Sequence, residues 1–212
     1  KTAKPEVLRI MRFSKIIITA AAGFIVLIAL VAVGVFYLKN TVSYQLHPPK
    51  SELMQRADKI GDFSKIPKSY NVTKALNVIG VTSIVAEHPQ SGQYMAIIDP
   101  GWTMNISKND IQTGNLKQKL TDYALKASSP NIKLNRLEIK PKGNFQAFNQ
   151  FVPYAQTKVR ISGLSSEKTY EGMIAIVSKP GTNKNELIVS LNKNGTFNQK
   201  IAENFFQSVK LQ

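Results

Sequence analysis

The sequence predicts an α+β fold, with one N-terminal transmembrane helix followed by an antiparallel sheet covered by helices as an α/β/α sandwich. Three observations carry that expectation. Residues Ile16 to Leu38 (IIITAAAGFIVLIALVAVGVFYL) form an uncharged, mostly apolar run. From Asn77 onward, β-branched segments alternate with turn residues, the pattern of paired strands. Two segments, one beginning near Asn115 and one at the C-terminal end, repeat apolar residues at helical spacing.

The apolar run comes first in the chain. At ~1.5 Å per residue a helix over it is about 34 Å long, enough for a bilayer core of ~30 Å with some tilt. Lys1, Lys4, Arg9, Arg12 and Lys15 precede it against one acid, Glu6, whereas Lys39 is the sole basic residue between the run and Lys50. That bias predicts residues 1–15 as a cytoplasmic tail, 16–38 as a single-pass signal anchor in the plasma (inner) membrane, and the remainder as extracytoplasmic. The run is too long for a cleaved signal peptide. Thr19 and Gly23 form a small-xxx-small pair suited to close packing against a partner span.

Residues 39–76 read as a juxtamembrane stalk. His47-Pro48-Pro49 favours extended backbone, and Ser51 is a good N-cap for a short polar helix, Glu52 to Ile60. Asp62 to Asn71, with Pro67, reads as irregular.

Residues 77–212 read as the extracytoplasmic domain. Val78 to Ala86 and Gln93 to Ile98 predict a hairpin across His88-Pro89-Gln90-Ser91-Gly92, and Asp99-Pro100-Gly101 stops it before Trp102. Leu116, Leu120, Tyr123, Ala124 and Ala127 mark one face of a helix that Ser128-Ser129-Pro130 ends. Strands are predicted at Lys133–Lys140, Lys158–Gly163, Thr169–Val177 and Glu186–Leu191. Thr196 is the expected cap of a closing helix with Phe197, Ile201, Phe205 and Val209 toward the sheet. Phe145, Phe148, Phe151 and Tyr154 cluster in a segment with no assigned element; they are the candidate docking surface, weighed against packing in the core.

Composition narrows the chemistry. Zero cysteines exclude disulfides and thiol nucleophiles, and leave an oxidising compartment open. Residues 39–212 carry 23 of the 28 Lys/Arg and 12 of the 13 Asp/Glu, which is +11 of the chain's +15. The basic residues Lys117, Lys119, Lys126, Lys133, Arg136, Lys140, Lys142, Lys158 and Arg160 are spread over several elements. Such a surface can attract anionic lipids or envelope polymers. No Lys/Arg block or RNA-binding motif points to nucleic acid. His47 and His88 stand alone, no HExxH, GxSxG, P-loop or dinucleotide fingerprint occurs, and Asp99 reads as turn chemistry. Glu167, Glu171 and Glu186 read as solvated carboxylates. The expectation is a protein that is not an enzyme and needs no cofactor or metal.

Three features together resemble the PsbP/DcrB-like family of small α/β/α sandwich domains. They are the strand entering a Pro-Gly-Trp turn (Tyr94 to Trp102), the late strand pair (Gly172 to Val177 and Leu187 to Leu191), and the closing helix ending Phe205-Phe206-Gln207-Ser208-Val209-Lys210-Leu211. The resemblance spans Val78 to Leu211 and carries over no binding residues. It implies a non-catalytic accessory or scaffold subunit that docks on a larger membrane or envelope complex. Family members are often lipid-anchored through a cysteine, a role the apolar run takes here. The alternative is a bitopic structural component of a secretion machine with a cystatin-like outer domain, marked by a long helix wrapped in a curved sheet.

Overall fold

In the computed structural model the described residues are 50–212, apart from 79–80, 102–103, 127–132, 163–166 and 193–195. The expected helix 16–38, with Thr19 and Gly23, therefore lies outside them. Among the described residues no helix is long and apolar enough to cross a membrane. The longest, with 12 residues, reaches only about 18 Å against a core of ~30 Å. Among the described residues the single-pass, signal-anchor expectation is thus corrected to a sheet-rich fold without a membrane-crossing helix.

Helix α1 (Lys50–Ala57) and strand β1 (Gly61–Asp62) lead into β2 (Asn71–Val78), β3 (Val81–His88) and β4 (Gln93–Asp99). Two short helices, α2 (Lys108–Thr113) and α3 (Asn115–Lys126), precede β5 (Lys133–Ala147), β6 (Gln150–Ser162), β7 (Glu167–Ser178) and β8 (Asn185–Asn192). Helix α4 (Gln199–Ser208) and β9 (Lys210–Leu211) close the chain, and β9 pairs with β1.

Seven strands form one antiparallel sheet in the order β2-β3-β4-β8-β7-β6-β5. The helical connection α2–α3 carries the chain from β4 at mid-sheet to β5 at the far edge. The meander β5-β6-β7-β8 then returns until β8 lies against β4, with Ile97 opposite Ile188.

This corrects the expected α/β/α sandwich. Among the described residues strand dominates, and helix is confined to four pieces of 6 to 12 residues that patch the sheet instead of forming continuous layers. Two segments cause the difference. The aromatic segment without an assigned element is strand, so β5 and β6 reach 15 and 13 residues. The segment read as stalk is, from Lys50 on, part of the fold, supplying α1, β1 and the edge strand β2. Leu53, Ala57, Ile60, Phe63 and Tyr70 are buried there, so these residues gain the hydrophobic free energy of a core, not a tether.

Each sheet face has its own apolar cluster. Ile111 of α2 and Leu116 and Leu120 of α3 pack on Val85, Ile98, Val159, Ile174 and Val189. Ala202, Phe205 and Phe206 of α4 and Leu53 and Ala57 of α1 pack on Ile84, Ile97, Met173, Ala175 and Ile188. Strands β3, β4 and β8 are covered on both sides and read as nearly continuous apolar runs, whereas β6 alternates. At Gly172 the backbone of β8 comes so close that a Cβ would stand 1.8 Å from the Ser190 carbonyl oxygen.

Polar staples fix the helices. Asp110, buried in α2, accepts from the Ser107 backbone N–H at 2.7 Å and from Lys119 Nζ at 2.9 Å. Burial pushes its carboxyl up, but the hydrogen bonds from Lys119 and Ser107 win and hold it below the ordinary range. Asn198, not Thr196, caps α4, its side chain accepting from the Ile201 N–H. Buried Gln93 holds the same helix start: its Nε2 donates to Ser190 Oγ (3.0 Å) and Asn198 O (2.9 Å), and its Oε1 accepts from Asn198 N (2.9 Å).

Both sheet edges are guarded against strand addition. On β2, Arg56 donates to the Ala75 carbonyl and the register shifts between Val72 and Lys74. On β5, Pro141 interrupts the donor row and the register shifts twice, at Leu134/Arg136 and Pro141/Gly143.

Candidate functional site

The β5–β6 hairpin is the longest arm of the fold, and its tip separates the four residues of the aromatic cluster. Pairing of β6 with β7 begins at Tyr154 opposite Ala175, while β5 and β6 continue to pair with each other as far as Ala147 and Gln150. Pro153, which has no N–H to offer, stands where β6 parts from β7. Beyond that point the arm has one partner strand, and it closes over the C-terminal end of α4.

Phe145 is fully buried, with its ring 5.8 Å from Tyr154 and 5.9 Å from Phe206 between centroids. Tyr154 is also buried, and its hydroxyl donates to Gln199 Oε1 at 3.2 Å. Burial, and then the negative charge of Glu203, raises the Tyr154 hydroxyl above its ordinary pKa. Phe148 and Asn149 form the two-residue turn, with φ of 50° and 58°. That left-handed geometry matches the twist of a tight hairpin but suits Asn far better than Phe. A bulky residue held there costs on the order of 1–3 kcal/mol. Two contacts hold it: the Phe148 N–H donates to the Phe206 carbonyl at 3.1 Å, and the two rings meet at 6.0 Å.

Phe151 behaves differently. It is 74% exposed and is the one large hydrophobic residue so exposed among the described residues. Alternation along β6 explains the contrast, since Val152 turns inward to the α4 face and Phe151 outward. Its partner across the hairpin, Gln146, is exposed too. The candidate docking surface thus contracts to Phe151, with Phe145, Phe148 and Tyr154 serving as its support.

Other predicted residues separate. Asp99 accepts from the Gly101 N–H at 2.8 Å, the turn chemistry expected of Asp-Pro-Gly, while Trp102 is outside the described residues. His88 faces Ser91 Oγ at 2.9 Å and packs on Tyr70 at 5.0 Å. Among the described residues no three His, Asp or Glu side chains gather in a metal-binding group. Of the basic residues, Lys119, Arg136, Lys140 and Lys158 form ion pairs with Asp110, Glu138, Glu138 and Glu171. The basic balance is therefore partly neutralised where it lies.

Sequence reasoning missed Glu186. Its carboxylate is fully buried, neither oxygen has a hydrogen-bond partner, and Lys179 Nζ stands 3.9 Å away. Burial pushes its pKa up to about 7, Lys179 pulls it down, and Asp99 adds to the rise. A second missed group is Lys74 on β2, whose ammonium burial lowers to about 8 against the pull of Glu87. Burial, and then Glu87, push the nearby Tyr94 hydroxyl up to about 12. No sequence motif marks either place; both follow chiefly from burial in the folded chain.

In comparison with known proteins, no family model matches this sequence and no curated protein is similar to it.

Proposed function

We propose that the chain is a non-catalytic accessory or scaffold subunit that docks on a larger membrane or envelope complex through the β5–β6 hairpin tip. One observation carries the reading: Phe151 stands 74% exposed at the end of an arm whose other aromatic rings are packed. Aromatic side chains anchored on a rigid support and open to solvent are typical centres of protein interfaces. The backbone strain at Phe148 has the same sense, because strained turns persist where the surroundings hold them for a purpose. The guarded edges direct a partner to side chains and away from strand addition.

The likeness to PsbP/DcrB-like domains supports the same class of role. The secretion-machine alternative was tied to a long helix wrapped by the sheet, and the longest helix among the described residues has 12 residues.

The experiment is site-specific photocrosslinking in intact cells. A photoreactive residue at position 151 is expected to give one discrete adduct, and one at exposed Asn183 on the β7–β8 turn none. Phe151→Ala should abolish co-purification of the adduct partner while shifting stability by less than about 0.5 kcal/mol, as is usual for exposed positions. Equal crosslinking from positions 151 and 183, or unchanged co-purification by Phe151→Ala, overturns the reading.

A further inference from the structure

On the same side of the sheet as α4 lies an open groove of about 430 Å³. Pro67 and Ser69 of the loop before β2 form one wall. Tyr70 and His88 form the floor, and Ile201, Asn204, Gln207 and Ser208 of α4 form the other wall. Several of these groups are committed internally. The Tyr70 hydroxyl donates to the Ile201 carbonyl (2.8 Å), Ser208 Oγ donates to the Phe205 carbonyl (2.7 Å), and His88 Nδ1 faces Ser91 Oγ (2.9 Å). Asn204 and Gln207 are exposed, and among the described residues neither side-chain amide shows a protein partner.

The chemistry of this lining is selective. The chain carries 28 Lys/Arg and 13 Asp/Glu, yet none of them lines the groove. An anionic ligand such as a phosphate would find no cation there, and a cationic ligand no carboxylate. What the groove offers is a partly apolar floor, the half-buried His88 ring tilted 59° against the buried Tyr70 ring with Pro67 and Ile201 beside them, edged by amides that both donate and accept. Those are the complements of a sugar ring, whose C–H face lies on rings and whose hydroxyl and acetamide groups pair with amides. The volume lies toward the small end of ligand sites, which run from ~300 to ~1,000 Å³. An extended peptide is a poorer match, because peptides gain most from pairing with a sheet edge, and the neighbouring edge strand β2 is blocked by Arg56 and its register shift.

We infer that this groove binds a neutral, N-acetylated saccharide unit, held on His88, Pro67 and Ile201 and oriented by Asn204 and Gln207. This reading is independent of docking through Phe151. A protein with both features would grip a macromolecular partner through the arm packed on Phe206 and a glycan along the neighbouring face of α4.

The test uses the intact chain with isotope-labelled side chains and tri-N-acetylchitotriose as the probe, titrated to about 10 mM. Saturable shifts of the Asn204 and Gln207 amide and His88 imidazole signals are expected. The double variant Asn204→Ala/Gln207→Ala, both positions exposed, should stay folded and bind about tenfold more weakly. Parallel titrations use inorganic phosphate and a neutral acetylated alanine tetrapeptide, and both should leave these signals in place. The inference is overturned by absence of saturable shifts with the saccharide, by equal or stronger response to the peptide or phosphate, or by undiminished affinity in the double variant.

Discussion

Glu186→Gln should remove a pH dependence of stability that the wild-type chain shows between about pH 5 and pH 8. The carboxyl moves from an ordinary 4.5 to about 7, chiefly through burial. At ~1.36 kcal/mol per pH unit, forcing the charge to exist inside the fold costs about 3 kcal/mol at high pH. The sign follows from linkage: a carboxyl raised on folding favours the folded state's protonated form. Its contribution is fully present below about 4.5 and is lost as pH rises through about 7. Integrated between about pH 5 and pH 8, the loss is about 2–3 kcal/mol. Glutamine cannot ionise, but its amide inherits a site without hydrogen-bond partners and carries a roughly constant cost of about 1–3 kcal/mol. The two stability curves therefore converge or cross: the wild type is favoured at the acid end and loses that lead toward pH 8. Urea unfolding at four pH values across this window measures both curves. Taking the difference between the two proteins cancels the other titrating groups. A difference that stays constant within about 0.5 kcal/mol across the window refutes the reasoning.

Two further substitutions test the packing that positions the candidate sites. Gly172→Ala would place a methyl 1.8 Å from the Ser190 carbonyl oxygen, a backbone atom fixed by pairing on both sides. It should cost at least about 3 kcal/mol, and a thermal midpoint within a degree of wild type would show that β7 and β8 lie farther apart. Gln93→Ala removes three hydrogen bonds that join β4, β8 and the start of α4. Leaving Asn198 N–H and Ser190 Oγ short of partners should cost about 2–4 kcal/mol. Hydrogen exchange should show α4 opening more readily than α2, and uniform exchange across both helices would contradict that role.

How much of this was legible in the sequence depended on whether the information was local. The hairpin of β3 and β4, the helix begun at Asn115 and the strands β7 and β8 follow from short-range pattern, and the structure has them close to the expected bounds. The β5–β6 arm does not. In Phe145 to Tyr154 the pleat is obscured by Pro153 and by a turn whose first residue is Phe, not Asn or Gly. That turn is viable through Phe206, some sixty residues further on. The stalk was misread for the same kind of reason. Leu53, Ala57, Phe63 and Tyr70 are sparse among polar residues, and their burial depends on Phe205 and on β9, at the other end of the chain. Glu186 precedes the apolar run Leu187 to Val189 of β8, but a carboxylate near a strand end is ordinarily solvated. That neighbouring elements seal it in is a tertiary fact.

The candidate sites share one support. Phe148 at the hairpin tip donates its N–H to the Phe206 carbonyl, and Tyr70 at the groove donates its hydroxyl to the Ile201 carbonyl, both on α4. Between them the rings of Tyr154, Phe145, Phe206, Phe205 and Tyr70 run in unbroken contact at 5.3 to 5.9 Å. Such a row is dense and poorly compressible, so it fixes the arm and the groove to the same helix without joining them through a loop. The anchor of α4 is in turn Gln93, which reaches into the middle of the sheet. The element that presents both surfaces is thus set by the best-buried polar contact of the fold, and a rigid presentation of exposed side chains is what recognition requires.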